Sequence, residues 1–479
     1  MKNKHTEIIT IASIALICSA LYISLCFNTN IWMDEAFTAT LVHNTFSGVL
    51  YSSMQDTLPP LYNLLLKLTT TILGYNIYVM KLTSVVPMIL TIIIAATTVR
   101  KRFGAITSIA FMLCLTGMPL MLYFGVEIRM YSLGFFFATA SGIYAYEVIC
   151  DSCRKNWILF TVLSVLAGYS HHFAFVTVGF VYLFLLVYYF FADFKHIARW
   201  FKFLGFTFLL YFPCMLVTLR QFGNVSGYFS MPDITLQMFV QYLLYPYMVS
   251  KITGSILCIL IMAILIIFCA YKLFTRKEFT NDNLYSVACL AVYPGVLVFG
   301  TIVSKIMTAN IFVDRYLFFS VGLLWLFVAI QIGKLPKKFT YIAFATLIYI
   351  GICYYSVELD VEYHNSADEE IEFLRDNIKP GDILYPIGGH EELECCIPFL
   401  SIIANENAPL TYVAPLSTAL DAIEMYKDAG MTLWIAVLDG YDFSEEDLSL
   451  LNNSGYIAVD AAHFDFDRYA CTMYKIIKQ

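Results

Sequence analysis

The sequence predicts a polytopic α-helical membrane protein, with about eleven transmembrane helices and a small C-terminal α/β domain. Three observations carry this. Of 479 residues, 59% are hydrophobic and 14% charged, with a mean hydropathy of +0.71. Apolar runs of about 20 residues, the length that spans a hydrocarbon core, recur along the chain. From Glu358 onward the composition turns polar, and this stretch holds 24 of the 36 acidic residues but only 6 of the 29 basic ones. The formal charge of -7 therefore hides a membrane portion with 23 basic against 12 acidic residues. The two parts face different surroundings, and an ordinary soluble enzyme is excluded.

The N-terminus pairs a basic start with an apolar run and has no small-residue cleavage site before Trp32, so it reads as a retained first span. Apolar runs fall at residues 7–27, 77–99, 104–124, 131–150, 157–170, 173–192, 203–219, 252–274, 283–304, 316–333 and 339–357. With the N-terminus in the cytoplasm, the basic connections at residues 100–102, 154–155, 195–202, 272–277 and 334–338 all lie inside. An odd number of spans then places the acidic part outside. The absence of a retention signal favours a bacterial plasma membrane over an endoplasmic reticulum.

The first outer loop covers residues 28–76, and within it Pro59-Pro60 starts a short amphipathic helix, Leu61-Tyr62-Asn63-Leu64-Leu65-Leu66-Lys67-Leu68, lying along the interface. Residues 220–251 form another outer loop, with Met231-Pro232-Asp233 and an aromatic-rich segment ending at Tyr245-Pro246-Tyr247 as a second surface helix. Beyond Ser356, residues 367–377 read as an amphipathic helix, Lys379-Pro380-Gly381-Asp382 as a turn and Ile383-Leu384-Tyr385 as a strand. Residues 433–438 suit a buried strand, Ser444 starts a helix and residues 469–476 make a closing strand. The division is a transmembrane domain at residues 1–357 and an exterior α/β domain at residues 358–479.

Acidic side chains beside lipid are costly, so each asks for a reason. Trp32-Met33-Asp34-Glu35-Ala36-Phe37-Thr38 sets two adjacent carboxylates at the outer mouth of the first span, and Asp56 and Glu127 fall on the same side. Carboxylates gathered there serve as a general base toward a hydroxyl or amine, or hold a divalent cation, and the sequence leaves both open. Glu127-Ile128-Arg129-Met130-Tyr131-Ser132-Leu133 precedes the fourth span and Val313-Asp314-Arg315-Tyr316 the tenth. Both arginines depart from the positive-inside pattern, and the guanidinium fork suits a phosphate. Lys67, Lys81 and Lys251 also lie on the outer half, where snorkelling toward lipid headgroups is the plainer role. His171-His172 end the fifth span on that side, as interfacial histidines commonly do, or as groups that meet a metal, a pyrophosphate or a sugar. Tyr62, Tyr131 and Tyr316 stand beside these residues as further substrate contacts.

Thirteen cysteines sit mostly in apolar runs, where a thiol packs as a small hydrophobe, and the vicinal Cys395-Cys396 lacks zinc-type spacing. There is no Walker loop and no GxGxxG fingerprint, so ATP hydrolysis and nicotinamide chemistry lose their usual support. Nothing calls for nucleic acid as a partner.

The order Asp34-Glu35, then Asp56-Thr57-Leu58-Pro59-Pro60-Leu61-Tyr62, then Glu127-Ile128-Arg129-Met130-Tyr131-Ser132-Leu133 resembles the membrane glycosyltransferases of the GT-C superfold. It is most similar to glycosyltransferase family 39, which includes the protein O-mannosyltransferases and the lipid A aminoarabinose transferase. The resemblance covers residues 1–335 and is silent on the exterior domain. It implies transfer of a sugar from a polyprenyl-phosphate carrier, among membrane lipids, onto a protein, glycan or lipid acceptor outside the cytoplasm. No cofactor is implied, and a divalent metal is left open. By resemblance, Asp34 is the general base of an inverting displacement, Glu35 and Asp56 orient acceptor or sugar, and Arg129, with Arg315 and Lys67, holds the lipid phosphate. In this family a histidine commonly precedes the two prolines, and here Leu58 stands in its place.

Two other classes compete. A transporter or flippase of lipid-linked sugars has a similar number of spans, but places ionisable groups at midmembrane and interrupts spans with paired glycines or prolines. A receptor-like or scaffolding protein leaves Asp34, Asp56 and Arg129 without a purpose.

Overall fold

The computed structural model describes residues 2–228, 234–249, 251–307, 311–359, 363, 366–388, 390–407, 410–412, 415–425, 430–465 and 470–479. Met231-Pro232-Asp233, part of one expected surface segment, and Tyr469 lie outside them. Nine helices among the described residues are long and apolar enough to cross a membrane. The chain divides into two units, the first of Met1–Cys26, Phe46–Leu66 and Lys81–Asp360, the second of Phe27–Thr45, Lys67–Met80 and Val361–Gln479.

The helices of the first unit run in order α1 (Lys2–Ser24), α3 (Phe46–Gln55), the first part of α4 (Leu61–Leu73), α5 (Ile77–Ile94) from Lys81 on, α6 (Arg100–Phe103), α7 (Ala105–Gly117), α8 (Met121–Val126) and α9 (Tyr131–Cys150). They continue with α10 (Arg154–Ser170), α11 (His172–Ala192), α12 (Ile197–Tyr228), α13 (Leu236–Leu244), α14 (Ile252–Ala270), α15 (Asn281–Ile306), α16 (Phe318–Gly333) and α17 (Lys337–Tyr354). The label α2 belongs to Met33–His43 of the second unit. As expected, the two prolines open α4, and a short helix, α13, forms within residues 220–251.

Helix α16 is apolar all round and its side chains are buried nearly without exception, which makes it the axis on which α7, α9 and α15 pack. Its seam with α9 depends on small residues. A Cβ on Gly322 would collide with Thr139 and the Phe135 ring, and one on Gly142 with Leu323.

Two of the expected spans come out short. Residues 104–124 yield α7, of 13 residues, because Pro119 cannot donate to the helix ladder and Leu120 takes a left-handed φ of 69°. Tyr22 of α1 stabilises the break by donating its hydroxyl to the Leu115 carbonyl at 2.6 Å and facing that of Met121 at 3.2 Å. Helix α10 has 17 residues and stops at His171, whose extended backbone caps α11.

The far end of α9 is pinned by polar contacts. Arg102 pairs with Glu147, Tyr146 donates to Asp282, and Lys334 donates to Asn283 at 2.5 Å. Burial pulls the Lys334 ammonium down to about 8.

The second unit is built on a five-stranded sheet of order β2-β1-β3-β5-β4. Its strands are β1 (Ile383–Ile387), β2 (Thr411–Tyr412), β3 (Leu433–Leu438), β4 (Tyr456–Asp465) and β5 (Ala470–Lys478). β1 pairs in parallel with β2 and β3, whereas β5 runs antiparallel to β3 and β4. Helices α18 (Asp368–Asn377), α19 (His390–Ala404), α20 (Leu416–Met425) and α21 (Glu445–Asn453) accompany it. Ser444 caps α21, its hydroxyl accepting from the Asp447 amide at 3.0 Å. The unit also takes in α2, which packs on α19, and Tyr75, which donates to the Ala39 carbonyl at 2.8 Å.

Candidate active site

In the first unit the N-terminal ends of α9, α11 and α16 lie together, since the three helices pack on one another and their leading residues share contacts. Each end carries the positive pole of its helix dipole, and at two of them a side chain takes up a leading amide, His171 that of Phe173 and Asp314 that of Arg315. The residues at these ends are Glu127, Arg129 and Tyr131 before and at the start of α9, His171 and His172 at α11, and Asp314, Arg315 and Tyr316 before α16. Three chain segments singled out in the sequence are thus brought into one cluster.

His171 sits at its centre. The imidazole is 1% exposed, stacks on Phe319 with centroids 4.4 Å apart, and lies 4.7 Å from the Tyr316 ring. Burial holds it well below its ordinary range, reinforced by His172, Arg129 and Arg315 nearby, so it stays neutral. Its Nδ1 accepts from the Phe173 amide at 3.0 Å, which leaves the ring proton on Nε2. That buried Nε2–H and the buried hydroxyl of Tyr131 have no hydrogen-bond partner among the described residues. Tyr131 lies in the field of Arg315, Arg129, Glu127 and Tyr316. Arg129 and Glu127 are themselves buried, at 9% and 6% exposure, and Arg315 and Tyr316 half-buried.

Beside this cluster runs the turn that follows α3. His172 Nε2 lies 3.2 Å from the Thr57 carbonyl, and Gln221 of α12 donates to the carbonyls of Ser53 and Leu58 at 3.1 and 3.0 Å. Asp56 accepts from the Thr57 amide at 2.6 Å, closing the turn on itself. Tyr62 is buried with its hydroxyl 2.7 Å from Ser84, a packing role.

Asp34, Glu35 and Lys67 belong to the second unit. Asp34 and Glu35 occupy the first turn of α2; Asp34 is half-buried, while Glu35 is buried and accepts from the Trp32 amide at 3.3 Å. Glu35 thereby shapes the start of the helix. Lys67 is half-buried on α4.

Two residues near the cluster were not singled out in the sequence. Tyr245 lies in the field of Asp314, Glu127, Tyr131 and Arg315, and burial keeps its phenol protonated. Gln221 is a single amide at the end of an apolar run, and no spacing marks it. Among the described residues no three carboxylate, imidazole or thiol side chains come together as metal ligands.

The cluster thus gathers two guanidiniums, the carboxyl groups of Glu127 and Asp314, and the donors of His171 and Tyr131 at three helix ends. No protein-family model matches the sequence, and no curated protein matches it either. Solved structures do. The crystal structure of ArnT from Cupriavidus metallidurans in the apo state is similar at a TM-score of 0.65 and 12% identity, covering 98% of each chain. The same protein bound to undecaprenyl phosphate gives 0.66 and 11%, covering 97% of each. Along its length, the chain shares the fold of ArnT.

Proposed function

We propose that this multi-pass membrane protein is an inverting glycosyltransferase that moves a sugar from a polyprenyl-phosphate carrier to an acceptor outside the cytoplasm. The observation that carries the reading is the meeting of Arg129 and Arg315 with the donor atoms of His171 and Tyr131 at three helix N-termini. As the bond between the anomeric carbon and the phosphate oxygen lengthens, negative charge grows on the leaving phosphate. Guanidinium groups and oriented N–H and O–H dipoles fixed in a buried site stabilise that charge, each contact contributing on the order of 3 kcal/mol. Neutral His171 donates through Nε2 without adding a proton that could be lost. ArnT, which shares the fold, has been crystallised with undecaprenyl phosphate, and this supports a long prenyl carrier here.

In this reading Asp34 takes the proton of the acceptor hydroxyl or amine while Glu35 holds the start of α2. Asp56, on its anchored turn, orients the acceptor or the sugar. Lys67 adds positive charge for the donor. The test is to incubate purified protein in proteoliposomes with a panel of radiolabelled polyprenyl-phosphate sugars. Transfer or hydrolysis of at least one is expected, and inertness toward all of them overturns the reading.

A further inference from the structure

A second cluster of cations lies at the opposite end of α10, about 25 Å from His171 by helix rise. Trp157 of α10 stacks flat on Phe203 of α12, centroids 5.1 Å apart and planes within 10°. Beside this contact the two helices leave a groove of about 620 Å³. Its mouth carries Arg154, the first residue of α10, with Arg199 and Lys202 of α12. Below them the walls are apolar, with Ile158 and Val162 on one side and Phe206 and Leu210 on the other.

The charges at the mouth are not neutralised by the protein. Arg199 donates to the carbonyl and hydroxyl of Ser152, and Lys202 lies 6.0 Å over the Phe206 ring. Among the described residues no carboxylate stands within ion-pair distance of the three cations. No side chain caps the N-terminus of α10, the helix that Arg154 begins. A cationic rim over an apolar furrow, where α10 meets the membrane-spanning α12, complements a molecule with an anionic head and a hydrocarbon tail. A water-soluble phosphate would leave the furrow unused.

We propose that this groove is a binding site for an anionic phospholipid of the bilayer, with its phosphate among Arg154, Arg199 and Lys202 and one acyl chain between the apolar walls. The site is separate from the cluster around His171 and independent of the transfer reaction.

The test is native mass spectrometry of the full-length protein in detergent, titrated with dioleoylphosphatidylglycerol or dioleoylphosphatidylcholine. Retention of the anionic lipid is expected to be roughly tenfold or more stronger. The triple variant Arg154→Gln, Arg199→Gln, Lys202→Gln is expected to lose that preference. Val162→Trp, which fills the furrow and keeps every charge, is expected to lose retention as well. Equal retention of both lipids by the wild type, an unchanged Val162→Trp, or displacement of the lipid by millimolar inorganic phosphate each overturns the proposal. Should the triple variant fail to fold, Lys202→Gln alone and Val162→Trp decide the matter.

Discussion

His172 Nε2 lies 3.2 Å from the carbonyl oxygen of Thr57, so the head of α11 holds a turn 115 residues away in the chain. Gln221 grips the same turn from α12. Asp56 owes its place to these two side chains, neither of which needs to touch substrate. His172→Phe removes one polar contact to the turn and Gln221→Leu two, each contact worth about 1–3 kcal/mol. The expected outcome is a roughly 10- to 100-fold loss in sugar transfer, with faster deuterium exchange at residues 56–59. Loss of transfer with unchanged exchange would give these residues a different role.

Arg129 and Arg315 approach His171 from two separate helix ends, and the proposed reaction needs both on the leaving phosphate. Arg129→Ala is expected to lower kcat/KM for the lipid-phosphate donor by about 100-fold, in keeping with loss of one transition-state contact. Asp34→Asn is expected to abolish transfer while leaving expression, elution profile and donor binding intact. Wild-type turnover by Asp34→Asn would remove the base assignment and leave the anion site standing.

His171 gives the folded chain a pH dependence. Its imidazole is held below the ordinary range, by burial first and then by His172, Arg129 and Arg315. Below about pH 6.5 the unfolded chain therefore binds a proton that the folded chain does not. Stability from this source is complete above that pH and falls as the solution is acidified. The melting temperature of the solubilised protein is expected to drop between about pH 7.5 and 5.5. His171→Asn, which keeps an acceptor for the Phe173 amide and removes the titrating ring, is expected to flatten that drop.

Much of the fold was legible because lipid enforces a simple code. The apolar runs, the Pro59-Pro60 start of α4 and the Ser444 cap of α21 each depend on local chemistry and emerge as helices where that chemistry places them. What local chemistry could not show is partnership. The break after α7 looks like continuous apolar sequence, because Tyr22 from α1 satisfies the Leu115 carbonyl that Pro119 leaves free and Tyr355 satisfies that of Thr116. Strand β4 escaped notice because it is an edge strand with a largely exposed middle, carrying Asp460 and His463. In the same way, the segment with Asp34 and Glu35 reads as the mouth of a span, yet its helix packs on α19, more than 350 residues later in the chain. The arginines were visible as cations on the wrong side. Gln221, an amide whose partners are backbone carbonyls, carried no such mark.

Asp382 is the anchor of the sheet in the second unit. Fully buried, it accepts from the Lys379 amide at 3.0 Å, the Thr432 amide at 2.9 Å and the Trp434 indole at 3.1 Å, tying the turn before β1 to β3. Asp382→Ala leaves three donors without an acceptor and is expected to destabilise this unit by about 3 kcal/mol or more. Limited proteolysis of the full chain should then cleave within residues 361–479 and spare the helices of the first unit.

Gly322 and Thr139 face each other across the seam between α9 and α16, and these two helices carry Arg129 and Arg315 at their leading ends. The collision a Cβ would make at Gly322 is with the Thr139 hydroxyl first and the Phe135 ring second. Gly322→Ala should push the helices apart at a cost of about 1–3 kcal/mol and change the spacing of the two guanidiniums. A rise in donor KM and a lower melting temperature are the expected results. Thr139→Ala alone removes the hydroxyl that obstructs the new methyl, so the pair Gly322→Ala with Thr139→Ala should recover part of both losses. Purely additive effects in that double-mutant cycle would show that the seam does not set the distance between the arginines.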